Sequence, residues 1–477
     1  MESLNKVKKP SLALSLVPFI CLICFMLIGV VGLGSEPQIP LIMACIVTAF
    51  IGKYLGYSWD EMEQAMIDSN AMTMQANFII MIVGCLIGVW MSGGVVPGMI
   101  YYGLQLFTPS MFLLLLPVIC AVIAVSTGSA WSTAGTMGTA AMGIGAGLGI
   151  PPAITAGAVV SGASFGDKMS PLSDSTNLAA GIAGVNVFDH IKHMLYTTVP
   201  SFLISVVIFG IIGQGYKGTS VDTAQINGIL NALDANFTIT PLIFIPPISV
   251  ILMIIFKVPA VPGMIGGTAI GVVFAFAQGT GASEVLYNLF YGFEIATGNE
   301  MVDTLLNRGG LLEMMETISL VMCAMAFGGL IKKIGCLDNI LEVILNHCHT
   351  RGSIMLSNVI ACVAMNFMAA DQYMAIVIPG QMYGPVYEKL NLHPKNLSRV
   401  LEDAGTLTSG LVPWSTCGGV YRTTLGISAF QYGRFHFLGL ITPIVSALYG
   451  FLGIALAPLD ENKPIVKDLR KETVKEA

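Results

Sequence analysis

Charge is what this sequence has least of. Only 10% of its 477 residues are Asp, Glu, Lys or Arg, against about 25% in an ordinary soluble domain. A soluble chain of this length must coat its surface with charge, and 22 Lys and Arg with 28 Asp and Glu fall well short of that. No basic excess is present either. With a net charge of −6, nucleic-acid binding has no electrostatic footprint. The same composition excludes a disordered, collagen-like or secreted disulfide-rich chain. Ten cysteines fall mainly in apolar stretches, among them Cys45, Cys85, Cys120 and Cys362, and read as buried thiols. Cys21 and Cys24 have redox or zinc spacing but lie within LVPFICLICFMLIGVVGL, far from any polar turn. What the chain has in place of charge is apolar residue, 55% of the total. Its mean hydropathy of +0.78 describes a protein whose solvent is largely lipid.

Crossing about 30 Å of hydrocarbon takes about 20 helical residues. Apolar runs of that order cover 12–33, 39–55, 76–91, 194–214, 240–256, 261–278, 318–331 and 435–457. The first follows MESLNKVKKP in the manner of a signal peptide. It exceeds an apolar signal core of about 7 to 15 residues and shows no small-x-small cleavage site, so it reads as a first span. Between the spans lie stretches rich in Gly, Ser, Thr and Pro, at 110–149, 152–190, 354–386 and 399–430, which suit no straight lipid-facing helix.

The chain matches itself at a single offset of 242 residues. STGSAW at 126–131 falls on MAADQY at 368–373, pairing Ser129 with Asp371 and Trp131 with Tyr373. SGASFGDKMSPLSDST at 161–176 falls on DAGTLTSGLVPWSTCG at 403–418, pairing Pro171 with Pro413 and Ser173 with Ser415. The expectation is an all-α polytopic membrane protein built from two inverted repeats. Residues 12–216 and 240–458 would each supply five transmembrane helices, a re-entrant hairpin (about 110–149 and 354–386) and a broken helix (about 152–190 and 399–430). Residues 1–11 and 459–477 would be cytoplasmic tails, and 217–239 an extracellular connector. Five crossings per repeat, an odd number, invert the second against the first. With the N-terminus inside, 17 of the 22 Lys and Arg fall on cytoplasmic segments, among them Lys6, Lys53, Lys257, Arg399 and Lys475. Lys217, Arg308, Arg422 and Arg434 fall outside, and Lys168 falls within the membrane. Twelve full spans are the rival topology. WDEMEQAMIDS at 59–69 is amphipathic and suits the cytoplasmic surface, with its counterpart at 301–310 outside.

A charge at mid-membrane costs about 2.5 to 3.5 kcal/mol on insertion scales, so ionisable groups there mark ion pathways. Here they cluster. Asp167, Lys168 and Asp174 sit in GDKMSPLSDSTN, Asp371 in AADQY, and Glu402 and Asp403 open the second broken stretch. Around them lie Ser126, Thr127, Ser129, Ser132, Ser164, Ser173, Thr176 and Asn177 in the first half, and Gln372, Thr408, Ser415 and Thr416 in the second. These hard oxygen donors, with carbonyls freed at Gly166, Pro171, Gly410 and Pro413, suit a small alkali cation such as Na+. A carboxylate among them holds Na+ when ionised or a proton when neutral, and that competition suffices for exchange.

Plainer readings stand beside these. Asp167 and Lys168 would form a self-neutralising pair, and Glu402 and Asp403 would be solvated helix-start carboxylates near Arg399. Trp131 and Tyr373 read as hairpin packing. GIGAGLG at 143–149 departs from the nucleotide-loop pattern and reads as close helix packing through glycine. His190 and His193 have metal-compatible spacing, yet DHIKHM offers no Cys partner and reads as a cytoplasmic loop.

GDKMSPLSDSTNLA, the upstream STGSAWSTAGT, RGG at 308–310 and ADQY together resemble the NhaC family of bacterial Na+/H+ antiporters, over about residues 12 to 457. The resemblance implies the fold of the wider ion-transporter superfamily, with inverted repeats, two re-entrant hairpins and a possible homodimer. It implies cation and proton site roles for Asp167, Ser170, Asp174 and Thr176, with Na+ at Asp167, Asp174 and Thr176, and Asp371 as the counterpart in the second half. One branch of the family resembles malate/lactate exchangers, and these motifs do not separate the branches.

The expected function is therefore secondary active antiport, without enzymatic activity or cofactor: Na+ is exchanged for H+ across a bacterial plasma membrane by alternating access. The alternative is a Na+/H+-coupled exchanger of small carboxylates (malate/lactate type) or amino acids, with Lys168 as counter-charge. A channel is the third reading, disfavoured by an inverted duplication that a passive pore does not need.

Overall fold

The computed structural model describes residues 8–171, 173–216, 223–256 and 258–471. Lys6, Lys217, Lys257 and Lys475 of the charge count, with the start of the connector and the ends of both tails, lie outside the described residues. Helices fill nearly all the rest, and the only β-pairing among the described residues is two isolated bridges.

The first half runs α1 (Leu12–Met26), α2 (Gln38–Leu55), α3 (Trp59–Met72), α4 (Met74–Ser92), α5 (Val95–Leu106) and α6 (Pro109–Thr127). It continues with α7 (Ala130–Thr133), α8 (Thr139–Gly147), α9 (Pro152–Met169), α10 (Asp174–Ala183) and α11 (Val187–Gly215). Next come α12 (Thr223–Asn236), α13 (Ile245–Ile255), α14 (Ala260–Ala277), α15 (Ala282–Tyr291), α16 (Glu300–Leu306), α17 (Leu311–Lys333) and α18 (Cys336–His347). The chain then forms α19 (Arg351–Met368), α20 (Gln372–Lys389), α21 (Pro394–Val400), α22 (Leu407–Ser409), α23 (Thr416–Leu425), α24 (Ala429–Tyr432) and α25 (Phe437–Leu452). Element bounds recur at the 242-residue spacing: α6 with α19, α9 with the start of α21, and α10 with α23 begin at equivalent positions. Ser129 and Asp371 are both helix N-caps, as are Ser173 and Ser415.

The two breaks have local causes. Ser170 precedes Pro171, which disfavours helical backbone there, and it adopts φ −91° and ψ 130°; α9 ends and Ser173 caps a new start. In the second half, α21 widens into a π turn over Leu401–Thr406, α22 stops at Ser409, and Ser415 restarts the helix beyond Pro413.

Apolar side chains line the exterior as well as the core. Ile20, Ile23, Phe50, Leu203, Ile211, Val273 and Ile444 are exposed, whereas Lys168, Arg399, Glu402 and Asp403 are fully buried. An apolar exterior around a charged interior fits a hydrocarbon solvent. Among the described residues, six helices are long and apolar enough to cross a membrane, and up to nine spans result if three bent pairs each count as one. Both α6 and α19, the first arms of the expected re-entrant hairpins, are among the six.

Three expectations need correction. The span drawn at 194–214 begins at Val187, because Asn186 caps the helix and its first turns pack inward; His190 and His193 are therefore buried in α11, not in a solvated loop. The expected span at 240–256 opens on a short 3₁₀ turn, and α12 precedes it at a 94° bend, so most of the connector is helical. Arg399, counted as cytoplasmic, lies in the interior.

Glycine permits close contact between α6 and α9. Gly162 and Gly166 lie against the backbone of Pro117 and Ala121, one turn apart on each helix. Gly143, Gly145 and Gly147 of GIGAGLG likewise face Ile100, Thr155 and Leu104 at close range, as helix packing requires, while Gly149 makes the turn at φ +71°. Gly162→Ala should force α6 outward and cost about 1 to 3 kcal/mol. Gly181→Ala, whose Cβ meets nothing within 4 Å, serves as the control. Unfolding in mixed micelles checks both, and equal stabilities would contradict the contact.

Candidate functional site

The helix breaks bring the charged residues together. Asp371, fully buried, caps α20: its Oδ1 accepts from the backbone N–H groups of Tyr373 (2.9 Å) and Met374 (3.1 Å). Its Oδ2 accepts from the Thr416 hydroxyl at 3.2 Å, and the Thr416 N–H donates to the Ala370 carbonyl at 2.9 Å. The tip before α20 is thus stitched to the start of α23. Ala370 holds φ at +55° where its counterpart Gly128 sits at +64°, a conformation that costs alanine about 1 to 2 kcal/mol. Gln372 accepts from Cys417 Sγ at 3.2 Å, and Ser415 Oγ donates to the Ser409 carbonyl at 2.6 Å. Thr408 accepts from Asn366 at 2.9 Å.

On the first-half side, Asp167 is half-buried, with the Ser173 hydroxyl and the carboxyls of Asp174 and Glu402 nearby. Thr176 donates to the Lys168 carbonyl at 3.0 Å, and Ser170 is fully buried. Asp174 and Asn177 are exposed, so they form the open side of the cluster and not its interior. Asn177 donates to the carbonyls of Pro171 and Ser173, at 2.8 Å each. Tyr373 lies among Asp167, Asp174, Asp371 and Cys417, while Trp131 contacts Cys417 and Ser164 contacts Tyr421. Trp131 and Tyr373 therefore line the cluster as well as pack the tips.

The expected Asp167–Lys168 pair does not form. Adjacent helical residues point about 100° apart. Lys168 instead crosses to Asp403 in a fully buried ion pair, and Thr197 donates to the same Asp403 oxygen at 3.0 Å. Glu402 and Asp403 are not solvated helix-start groups, because α21 begins eight residues before Glu402 and the π turn carries both inward. Arg399 Nη1 donates to the Ala455 carbonyl at 2.7 Å, and its Nε and Nη2 have no partner.

Other expected ligands are not gathered here. Ser126 returns its hydroxyl to the Val122 carbonyl at 2.9 Å. Thr127 and Ser132 line a separate cavity of about 30 Å³ with Trp90 and Val250, which none of the carboxyls enters. Ser129 caps α7, accepting from the Ser132 N–H at 3.2 Å. His190 pairs with Ser398 (2.7 Å), and His193 donates to Asn396 (3.1 Å). Among the described residues no group of three or more His, Cys, Asp and Glu is placed to hold a metal ion. Thr197 carries no motif in the sequence, and only the folded packing of α11 against the π turn reveals it.

Residues 11–176 and 162–454 match the Na+/H+ antiporter family. The chain belongs to that family. Like other members it is a multi-pass membrane transporter rather than an enzyme. It is 41% identical to the Na(+)/H(+) antiporter NhaC of Alkalihalophilus pseudofirmus, over 94% of this chain and 97% of that protein. It is 35% identical to the malate-2H(+)/Na(+)-lactate antiporter of Bacillus subtilis, over 94% and 96%. It is also 35% identical to the arginine/ornithine antiporter ArcD of Halobacterium salinarum, over 95% and 94%. Similarity to antiporters of different substrates fits a shared frame whose selectivity lies in a few side chains.

In this family member, removing one partner of the buried pair should be severe. Lys168→Met leaves Asp403 charged and unpaired, with an expected loss of about 3 to 5 kcal/mol, most of which Asp403→Asn should restore in the double variant. Denaturant unfolding of the four proteins in detergent measures the coupling. Additive losses would show that the two side chains do not interact.

Proposed function

We propose that the chain is a secondary active antiporter, exporting Na+ in exchange for H+ across the bacterial inner membrane. One observation carries this reading. Five carboxyls, of Asp167, Asp174, Asp371, Glu402 and Asp403, gather with two cationic side chains, Lys168 and Arg399, where two helices are broken. Ionised together they leave negative charge in excess, and mobile cations and protons are what can balance it. Hydroxyls of Ser173, Thr176 and Thr416, with the carbonyls freed at the breaks, supply hard oxygen around that charge. The repeating element bounds support two structural repeats; an odd number of crossings in each would invert them and let one part rock against the other. The Lys and Arg distribution supports cytoplasmic termini. Ion gradients drive the cycle, at about 2.3 kcal/mol per charge per 100 mV.

Carboxylate exchange, the activity in the name of the Bacillus subtilis relative, is the second reading. It needs a free cation in the site. Lys168, the expected counter-charge, is taken by Asp403, which leaves Arg399, with Nε and Nη2 unpartnered, as the cation that reading would use.

Asp371→Asn separates charge from structure, because Asn caps a helix as well as Asp does. In proteoliposomes with an imposed pH gradient, NaCl alone should dissipate the gradient with wild type and fail to do so with Asp371→Asn. Asp371→Ala should in addition lower stability by about 1 kcal/mol. Dissipation only when malate or lactate is added would establish the carboxylate exchanger instead.

A further inference from the structure

We propose that Glu402 carries the exchanged proton, at a site distinct from the oxygens that hold Na+. This rests on the Na+/H+ reading above and adds to it a division of labour between carboxyls.

Glu402 and Asp403 share the π turn and are both fully buried, but only Asp403 is neutralised. Neither Glu402 oxygen has a hydrogen-bond partner, and the hydroxyl of Thr406, also buried, has none. The Thr406 and Ser175 hydroxyls approach Glu402 without reaching hydrogen-bond geometry. An ionised carboxylate without donor or counterion is among the costliest groups to bury. A protonated one needs a single acceptor, and either hydroxyl can serve after a small rotation.

Its charged neighbours set the coupling. From α9 come Asp167, of like charge, and Lys168, which is spent on Asp403. Arg399 lies one turn before Asp403 on the same helix and faces it. Around the turn, α10 contributes Asp174, α20 contributes Asp371 and Tyr373, α11 contributes His190, and α19 contributes Cys362. While Asp167 is ionised and empty, its charge opposes ionisation of Glu402. Na+ arriving at Asp167 cancels that charge, and Glu402 gives up its proton to water. When Na+ leaves, the proton returns. The two ions exclude each other through space, without sharing a ligand.

The test uses full-length protein and the isosteric variant Glu402→Gln. Without Na+, the infrared spectrum of wild type should contain the carbonyl stretch of a protonated carboxyl that disappears when NaCl is added; Glu402→Gln should lack that response. In proteoliposomes, Glu402→Gln should retain exchange of radioactive Na+ for unlabelled Na+ and lose Na+-driven proton movement. An unchanged infrared response in the variant overturns the proposal, as does Na+-driven proton movement at the wild-type rate. Loss of Na+/Na+ exchange in a folded variant also overturns it, because Glu402 would then be a Na+ ligand. If wild type itself moves no protons with Na+, the antiport reading fails, and the infrared response still decides the state of Glu402.

Discussion

The buried pair between Lys168 and Asp403 is the constraint on which the rest of the interior depends. It joins α9 of the first half to the π turn of the second, and Thr197 on α11 completes the third side. Two charges taken out of water gain little net stability from each other, because desolvation offsets most of their attraction. What the pair secures is register: each partner forbids the other to move alone. It also consumes the lysine that would otherwise neutralise Glu402 or attract an organic anion. Excess negative charge at the breaks follows from that single commitment.

Much of this frame was legible in the sequence because helix breaks leave compositional marks. A restart needs an oxygen-bearing cap, and Ser173 and Ser415 stand at the same place in both halves; a stop needs proline or glycine, and Pro171 and Pro413 supply it. Ser129 aligned with Asp371 marked two more caps, one of them ionisable. The partner of Lys168 was not legible. Sequence neighbours such as Asp167 suggest themselves, but helical geometry turns them apart, and the true partner lies 235 residues away. The depth of Arg399, Glu402 and Asp403 was hidden for a related reason. A hydropathy window reads a cluster of charges as surface, and a π turn that folds them inward leaves no pattern in residue type.

The polar contacts at the far end of α23 contrast with that interior pair. Arg422 bridges Glu36, ahead of α2, and Glu316 on α17, with both carboxylates exposed and the guanidinium half-buried. Its guanidinium holds the Glu36 carboxyl below the usual carboxylate range, so the bridge is lost only as pH falls through that lowered value. Arg308 donates to the Thr423 carbonyl at 3.1 Å, close to the end of the same helix. Exposed ion pairs of this kind are worth about 0 to 1 kcal/mol each and weaken with salt.

The contrast bears on how alternating access can work in this chain. A motion that separated Lys168 from Asp403 would strand two buried charges, at a cost of several kcal/mol that no exposed contact could return. Moving α9, the π turn and α11 as one body costs none of that. Parting α23 from α2 and α17 breaks the Arg422 bridges, whose charges are solvated at once, and the buried bond from the Thr317 hydroxyl to the Gly419 carbonyl at 3.3 Å, but strands no buried charge. A boundary along the Arg422 face therefore costs less than one through the buried pair, and it leaves α23 with the carboxyl cluster. Asp371, tied through Thr416 to the start of α23, holds that helix to the cluster. The carboxyl in the second-half tip thus draws its ligands both from α20 and from the helix that borders the Arg422 face.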